Sequence, residues 1–275
     1  MITGATSGIG LATAKMLAQA GAQVILVGRD PARGAQALAQ LRQVSSEDAC
    51  EFLQADLSRM AEIRRFAQGF LQHHQRLDVL VNNVGVFFLW PRLTGEGFEG
   101  TLAVNYLGVF LLTHLLLEAL RSAAPSRIVN VSSDSHRRAR IDFEYLGGKR
   151  RHAGYRAYGE TKLAMTMFTY ELARRLHGSG ITCNAVHPGF TATRMYENSG
   201  GVVKFFAPLI KLLGRPAEEG ADTVVYLASS ADVEGVTGKY FADRKAIASS
   251  PVSYDEAAAR NLYELTREVV GWPSV

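Results

Sequence analysis

Cysteine is nearly missing from this chain. Two residues, Cys50 and Cys183, among 275 exclude a disulfide framework. Cys183 also lies in an apolar, strand-like run, so a reducing, cytoplasmic setting is expected. No stretch of about 18 uninterrupted apolar residues occurs, which excludes a membrane-spanning helix. No secretory signal precedes the first glycine turn, and there is no repeat or low-complexity tract. Metal ligation is not expected either. His136, His152 and His187 fit no compact ligand spacing, and no cysteine or acid partner stands near them. Charge is sparse at 20%, against 47% hydrophobic residues, which rules out disorder and supports a large core. The net charge of +4 is local. Residues 137–156 hold seven basic side chains (Arg137, Arg138, Arg140, Lys149, Arg150, Arg151, Arg156) against Asp142 and Glu144, leaving the remainder at −1. The basic balance therefore belongs to one insert, which argues against a nucleic-acid surface.

What is present alternates. Apolar strands are expected at residues 24–27, 51–55, 77–81, 127–132, 181–187 and 239–242. Helices are expected at 11–20, 31–42, 60–75, 105–120, 158–176, 217–228 and 254–270, with Asp30 and Pro216 as caps. Apolar strands separated by helices of this length imply βαβ units. The expectation is a single α/β Rossmann-type domain over 1–275, doubly wound, with a parallel sheet and helices on both faces. Only Met1 and Ile2 precede the first turn, so either the first strand is very short or the true start lies upstream; the second is favoured.

That turn reads TGATSGIG. Gly4, Gly8 and Gly10 let backbone approach a pyrophosphate, and the helix that follows offers free N–H groups and its positive end. Thr6 and Ser7 add hydroxyl donors, and Ile9 completes the motif; a tight turn without a ligand is the alternative. The second strand ends VGRD. Gly28 carries no acid for a ribose hydroxyl, whereas Arg29 suits a 2′-phosphate, so NADP(H) is favoured over NAD(H). Asp56 and Leu57 follow the third strand and can cradle the adenine edge. Asn82, Asn83 and Gly85 end the fourth strand at its carboxyl tip, where ligands bind in open sheets; for Asn83, turn chemistry alone is an equal alternative.

Tyr158 and Lys162 stand four apart in YGETK and share a helix face. Ser133 ends the apolar run RIVNVSS, so a hydroxyl arrives from a strand tip. A phenol, an ammonium and a hydroxyl together can move a proton onto or off a carbonyl oxygen, and with a bound nucleotide that points to hydride transfer. Free tyrosine titrates near ~10, and bringing it about three units lower needs roughly 4 kcal/mol of preferential phenolate stabilisation, much of which a cation at Lys162 can supply. Each element alone has a bland explanation in packing or turn chemistry; their order together does not.

TGATSGIG, NNVG, VNYLG, IVNVSS, YGETK and HPG, in this order, resemble the short-chain dehydrogenase/reductase superfamily over nearly the whole chain. Within it the chain is similar to the retinol dehydrogenase-like branch. Tyr158 lies 25 residues after Ser133, a longer gap than most of the superfamily has and one shared by that branch. Two departures are Val84 for the usual alanine and Thr161 for the usual serine. The resemblance implies catalytic roles for Ser133, Tyr158, Lys162 and Asn105. Lys162 would also bond the nicotinamide ribose, and Asn105 would hold a water linking the lysine to solvent. Pro188, Gly189 and Thr191, with Thr193, would border the nicotinamide carboxamide. The N-terminal anchor helix of many animal relatives is not seen here, so membrane residence is not carried over.

The segment 202–213 (VVKFFAPLIKLL) is apolar except for Lys204 and Lys211, and Pro208 interrupts it. Its place after HPG suits a substrate lid over 190–215; core packing and a membrane-surface patch are the alternatives. An aliphatic and aromatic lid points to a small lipophilic carbonyl or alcohol substrate. The basic insert is expected to be a solvated loop, with contact to anionic lipid or to an acidic substrate tail as alternatives. Helices 105–120 and 158–176 pair subunits in many members of the superfamily, which leaves a homodimer or homotetramer open. A non-catalytic nucleotide-binding scaffold and a reductase of an activated carbon–carbon double bond are the competing functions.

Overall fold

A computed structural model of the chain describes residues 1–189 and 215–273. Its first strand, β1 (Ile2–Thr3), has two residues, yet it occupies the centre of the sheet. It pairs in parallel with β2 (Val24–Gly28), Ile2 opposite Leu26, and with β4 (Val79–Asn82), Ile2 opposite Val81. Outside β2 lies β3 (Cys50–Gln54). On the other side follow β5 (Ser126–Val131), β6 (Ile181–Val186) and β7 (Tyr240–Ala242), all parallel. The order β3-β2-β1-β4-β5-β6-β7 reverses between β1 and β4, and a crevice opens at such a switch point beyond the carboxyl ends of the strands.

The strands are apolar on both sides because helices cover both sides. On one face α1 (Gly8–Gln19), α2 (Pro31–Leu41) and α9 (Ala217–Ser229) bury Ala14, Leu41, Val224 and Leu227 against Leu26, Val81 and Val129. On the other, α3 (Met60–His73), α5 (Gly108–Leu115), α8 (Gly154–Arg175) and α10 (Glu256–Val269) enclose a core centred on Phe110 and Phe168. Every residue of α8 from 157 to 173 is buried. It lies between the sheet, α5 and α10, which explains an apolar pattern with no solvent stripe. Most residues of both helices that the sequence left open for subunit pairing are thus buried within their own chain.

Three features depart from expectation. The helix expected at 105–120 starts earlier and is interrupted. α4 (Gly100–Leu102) runs into a π-turn at Ala103–Leu107 and then into α5, and a break at Leu116 precedes α6 (Leu117–Ser122). An eighth, antiparallel strand β8 (Lys245–Ile247) extends the sheet past β7 through a two-residue turn at Asp243 and Arg244. Both turn residues have positive φ, 46° and 59°, as a type I′ hairpin needs. Arg244 is held there by a fork onto the Asp222 carboxylate and by its N–H donating to Thr223 Oγ1 at 3.1 Å.

The third departure is the basic insert, which is folded and not merely solvated. It contains α7 (Phe143–Leu146), capped by the Asp142 carboxylate and burying Tyr145 and Leu146. Tyr145 donates to Glu99 at 2.9 Å, and its ring stacks on that of His152 at 4.5 Å. His152 Nδ1 meets Glu160 at 2.7 Å, and Arg156 bonds the same carboxylate at 3.1 Å. Acids outside the insert therefore neutralise part of its charge.

Phe110 touches Tyr106, His114, Phe168 and Tyr263, with ring centroids 4.2–6.4 Å apart. Phe110→Ala is expected to lower unfolding free energy by about 3–5 kcal/mol in urea titration, because α5, α8 and α10 cannot all close on the void. A loss below about 1 kcal/mol would show that this cluster does not hold the face together.

Candidate active site

A cleft of about 540 Å³ lies at the switch point. It is lined by Gly4, Thr6, Ser7, Gly8, Ile9 and Gly10 from the first turn, Arg29, Asp56 and Leu57 from beyond β2 and β3, and Asn83 and Gly85 from beyond β4. Ser133 from beyond β5, Tyr158 and Lys162 from α8, and Pro188 and Gly189 from beyond β6 complete the expected set. Thr191, Thr193 and the expected lid through residue 214 lie outside the described residues.

The turn end of the cleft is built for close approach. Gly4 has φ +63°, and a Cβ on it would lie 2.8 Å from Val84 Cα. A Cβ on Gly10 would stand 2.5 Å from the Gly4 carbonyl oxygen and 2.4 Å from Asn83 Nδ2. Only bare backbone fits, and this leaves a cradle at the N-terminus of α1, where an anion meets free N–H groups and the helix dipole. Ser7 is the N-cap of α1, yet its hydroxyl makes no capping bond. Asn83 serves the frame: Nδ2 donates to the carbonyls of Thr3 at 2.9 Å and Gly4 at 3.1 Å. Thr3 Oγ1 accepts from the N–H groups of Asn83 and Val84, closing β1 onto β4. The alternative of turn chemistry thus describes the Asn83 side chain.

Beyond β2 Arg29 is exposed, and among the described residues no carboxylate pairs with it. Asp30 caps α2, accepting from the Arg33 N–H at 3.1 Å. Arg33 also lines the cleft, one helical turn beyond Arg29. The sequence reading passed over it, although the spacing R-D-x-x-R was the available signal. Asp56 is occupied locally, its Oδ1 accepting from the Ser58 N–H at 2.9 Å and hydroxyl at 2.7 Å.

At the other end, the tip of β5 is fastened to α8. Lys162 Nζ donates to the Val131 carbonyl at 2.8 Å, and Ser132 Oγ donates to the Lys162 carbonyl at 3.1 Å. These bonds hold the strand end beside the helix that carries Tyr158, so Ser133 arrives at the same cleft wall. Lys162 Nζ lies 5.6 Å from the centre of the Tyr158 ring. Burial lowers the amine to a pKa of about 8.

Asn105 is not on the cleft wall. It sits in the π-turn with no exposed surface, its Oδ1 accepting from the Val86 N–H at 2.8 Å and its Nδ2 donating to the Val86 carbonyl at 2.9 Å. A Cβ on Gly85 would lie 3.7 Å from Lys162 Nζ and 3.9 Å from Asn105 Oδ1, so amide and amine converge behind the end of β4. The outer rim is aromatic. Phe87 packs against Tyr158 at 6.0 Å and Tyr155 at 5.2 Å, and Tyr155 is 73% exposed. Neither rim residue was singled out by sequence. His187 lines the cleft and accepts from the Asp134 N–H through Nδ1; burial lowers its pKa and favours the neutral ring.

The buried amine has a consequence for stability. Unfolded lysine titrates near ~10.4, so between about pH 8 and that value the unfolded chain holds a proton that the folded chain has released, and stability rises with pH. Between about pH 7 and about pH 9.5, Lys162→Met should remove this rise. Wild type gains about 2 kcal/mol relative to the variant in urea titrations at the two pH values; parallel pH dependence would show that the amine is not desolvated.

The family described as short chain dehydrogenase matches residues 1–201. Retinol dehydrogenase 14 of Mus musculus is 42% identical over 285 residues, covering 98% of this chain and 85% of that protein. Among solved structures, an uncharacterized protein from Mycobacterium Paratuberculosis superposes with a TM-score of 0.79 at 31% identity, covering 99% of this chain and 94% of that one. RhlG of Pseudomonas aeruginosa, solved as an NADP active-site complex, gives 0.69 at 28% identity, covering 92% and 94%.

Proposed function

The chain belongs to the short-chain dehydrogenase family, and on that footing we propose an NADP(H)-dependent oxidoreductase that moves hydride between the nicotinamide and a lipophilic carbonyl or alcohol, with Tyr158 as general acid/base. The observation that carries this is the shared cleft: Ser133, Tyr158 and Lys162 line the same cavity as the glycine cradle.

The residues present fit a dinucleotide. The glycine turn lines the cleft at the N-terminus of α1, where a pyrophosphate would meet free N–H groups, and Thr6 and Ser7 add donors. Arg29 and Arg33, with no acid at Gly28, suit a 2′-phosphate. Bound there, the nicotinamide supplies or accepts the hydride. The chain's own groups handle the oxygen. In reduction the Tyr158 hydroxyl gives its proton to the substrate oxygen, while the Ser133 hydroxyl donates a hydrogen bond to the charge developing on it. In oxidation Tyr158 takes the proton back. A protonated Lys162 stabilises the phenolate left behind, and Asn105, held on the Val86 backbone behind the end of β4, would position a water that links the amine to solvent. The Phe87 and Tyr155 rim favours an apolar substrate body, in keeping with a relative named for retinol.

Tyr158→Phe should lower kcat by about 10²–10⁴-fold with apolar aldehydes, followed by NADPH absorbance, while NADPH still binds. Equal rates in the two proteins would reject the mechanism. Arg29→Ala should weaken NADPH by at least about tenfold more than NADH in titrations of intrinsic fluorescence, as loss of a charge-assisted contact predicts; an equal effect on both would defeat the cofactor assignment.

A further inference from the structure

Residues 248–254, which follow β8, fold back over the loop that carries Ser133. Arg137 donates to the Ala248 carbonyl at 2.7 Å. Ser249 Oγ bonds the Tyr170 hydroxyl of α8 at 2.6 Å, and the Ser249 N–H donates to the Tyr254 hydroxyl at 3.0 Å. Between this segment and the loop stands His136, fully buried, its ring tilted over Tyr240 at 4.8 Å. Both of its nitrogens are used. Nδ1 donates to the Ser133 carbonyl at 2.7 Å, and Nε2 accepts from the Ser250 N–H at 3.0 Å. Such a pattern requires the neutral imidazole protonated on Nδ1. Burial lowers the pKa of His136, which favours that form.

Ser133 needs such support. The last ladder bond of β5 is the Ser132 N–H to the Val186 carbonyl, so Ser133 has already left the sheet. Among the described residues its carbonyl otherwise accepts only the His136 N–H of the tight turn, at 3.1 Å, and its hydroxyl meets Ser135. From outside the turn the same peptide is held on its other side, the Asp134 N–H donating to His187 Nδ1 at 3.3 Å, so His136 supplies the tie on its carbonyl side.

We propose that His136 is a positioning residue: it pins the Ser133 peptide to Ser250, so that the serine hydroxyl faces the reacting oxygen before substrate arrives. It touches neither substrate nor cofactor and acts through Ser133. This role rests on the active site proposed above, and it assigns a catalytic consequence to the C-terminal hairpin and the turn after it.

The test is a double-mutant cycle on the full chain, with NADPH and an apolar aldehyde. His136→Phe keeps a ring in the buried site and removes both bonds; kcat should fall about 10- to 100-fold, as expected when a catalytic group is misplaced. The NADPH dissociation constant should stay within about twofold. In a Ser133→Ala background the same substitution should cost no further kcat, and His136→Gln, which offers both a donor and an acceptor, should recover part of the loss. Ser250→Pro deletes the N–H at a residue whose φ is already −68°, and it should give a smaller loss in the same direction even if His136→Phe does not fold. Additive losses in the cycle, full kcat in His136→Phe or Ser250→Pro, or a parallel loss of NADPH binding would overturn the role. Absence of turnover in the wild type would instead reject the proposed activity, and this role with it.

Discussion

The bond from Lys162 Nζ to the Val131 carbonyl is the constraint on which the site turns. It joins the last residue of a central strand to the buried stretch 157–173 of α8, and it takes the amine out of water to do so. With the bonds from Ser132 Oγ to the Lys162 carbonyl and from Asn130 Nδ2 to Thr169 Oγ1, it fixes the strand tip against a helix face about thirty residues of chain away. Catalytic groups tolerate little displacement. Burial of the amine has a cost, and the cost is what makes Lys162 a proton-responsive neighbour of Tyr158 and not a fixed cation.

The architecture was legible because its periodicity is strong. Apolar strand runs and capped helices, with Asp30 before Pro31 and Pro216 before Ala217, can be read without knowledge of long-range contacts. So were the cleft residues from the glycine turn to Lys162, since ordered motifs at strand ends must meet on one edge of a parallel sheet. What escaped was decided at a distance. The β7–β8 hairpin turns on Asp243 and Arg244, neither a glycine nor an asparagine, and it is held by Asp222 and Thr223 from another helix. The π-turn follows from Asn105 bonding both sides of the Val86 peptide, which no local propensity reveals. The insert read as a solvated run of charge because Glu160, which pairs with Arg156, and Glu99, which accepts from the Tyr145 hydroxyl, both lie outside it.

The insert and the C-terminal turn both fasten onto elements that border the cleft. One secures the first turn of α8 through His152, Arg156 and Glu160; the other secures the Ser133 loop through His136 and Arg137. Both use a buried imidazole, and both are built from segments outside the seven parallel strands. The sheet supplies the cleft, and these additions set where its polar groups stand.

The enclosure of α8 reaches beyond catalysis. With residues 157–173 buried on all sides, the helix offers almost no permissive position: a larger side chain meets backbone, and a smaller one leaves a void. Variation compatible with the fold is therefore pushed to the cleft rim, to positions such as Tyr155 that face solvent. A lineage carrying this scaffold can retune which molecules it admits far more readily than the reaction it performs on them.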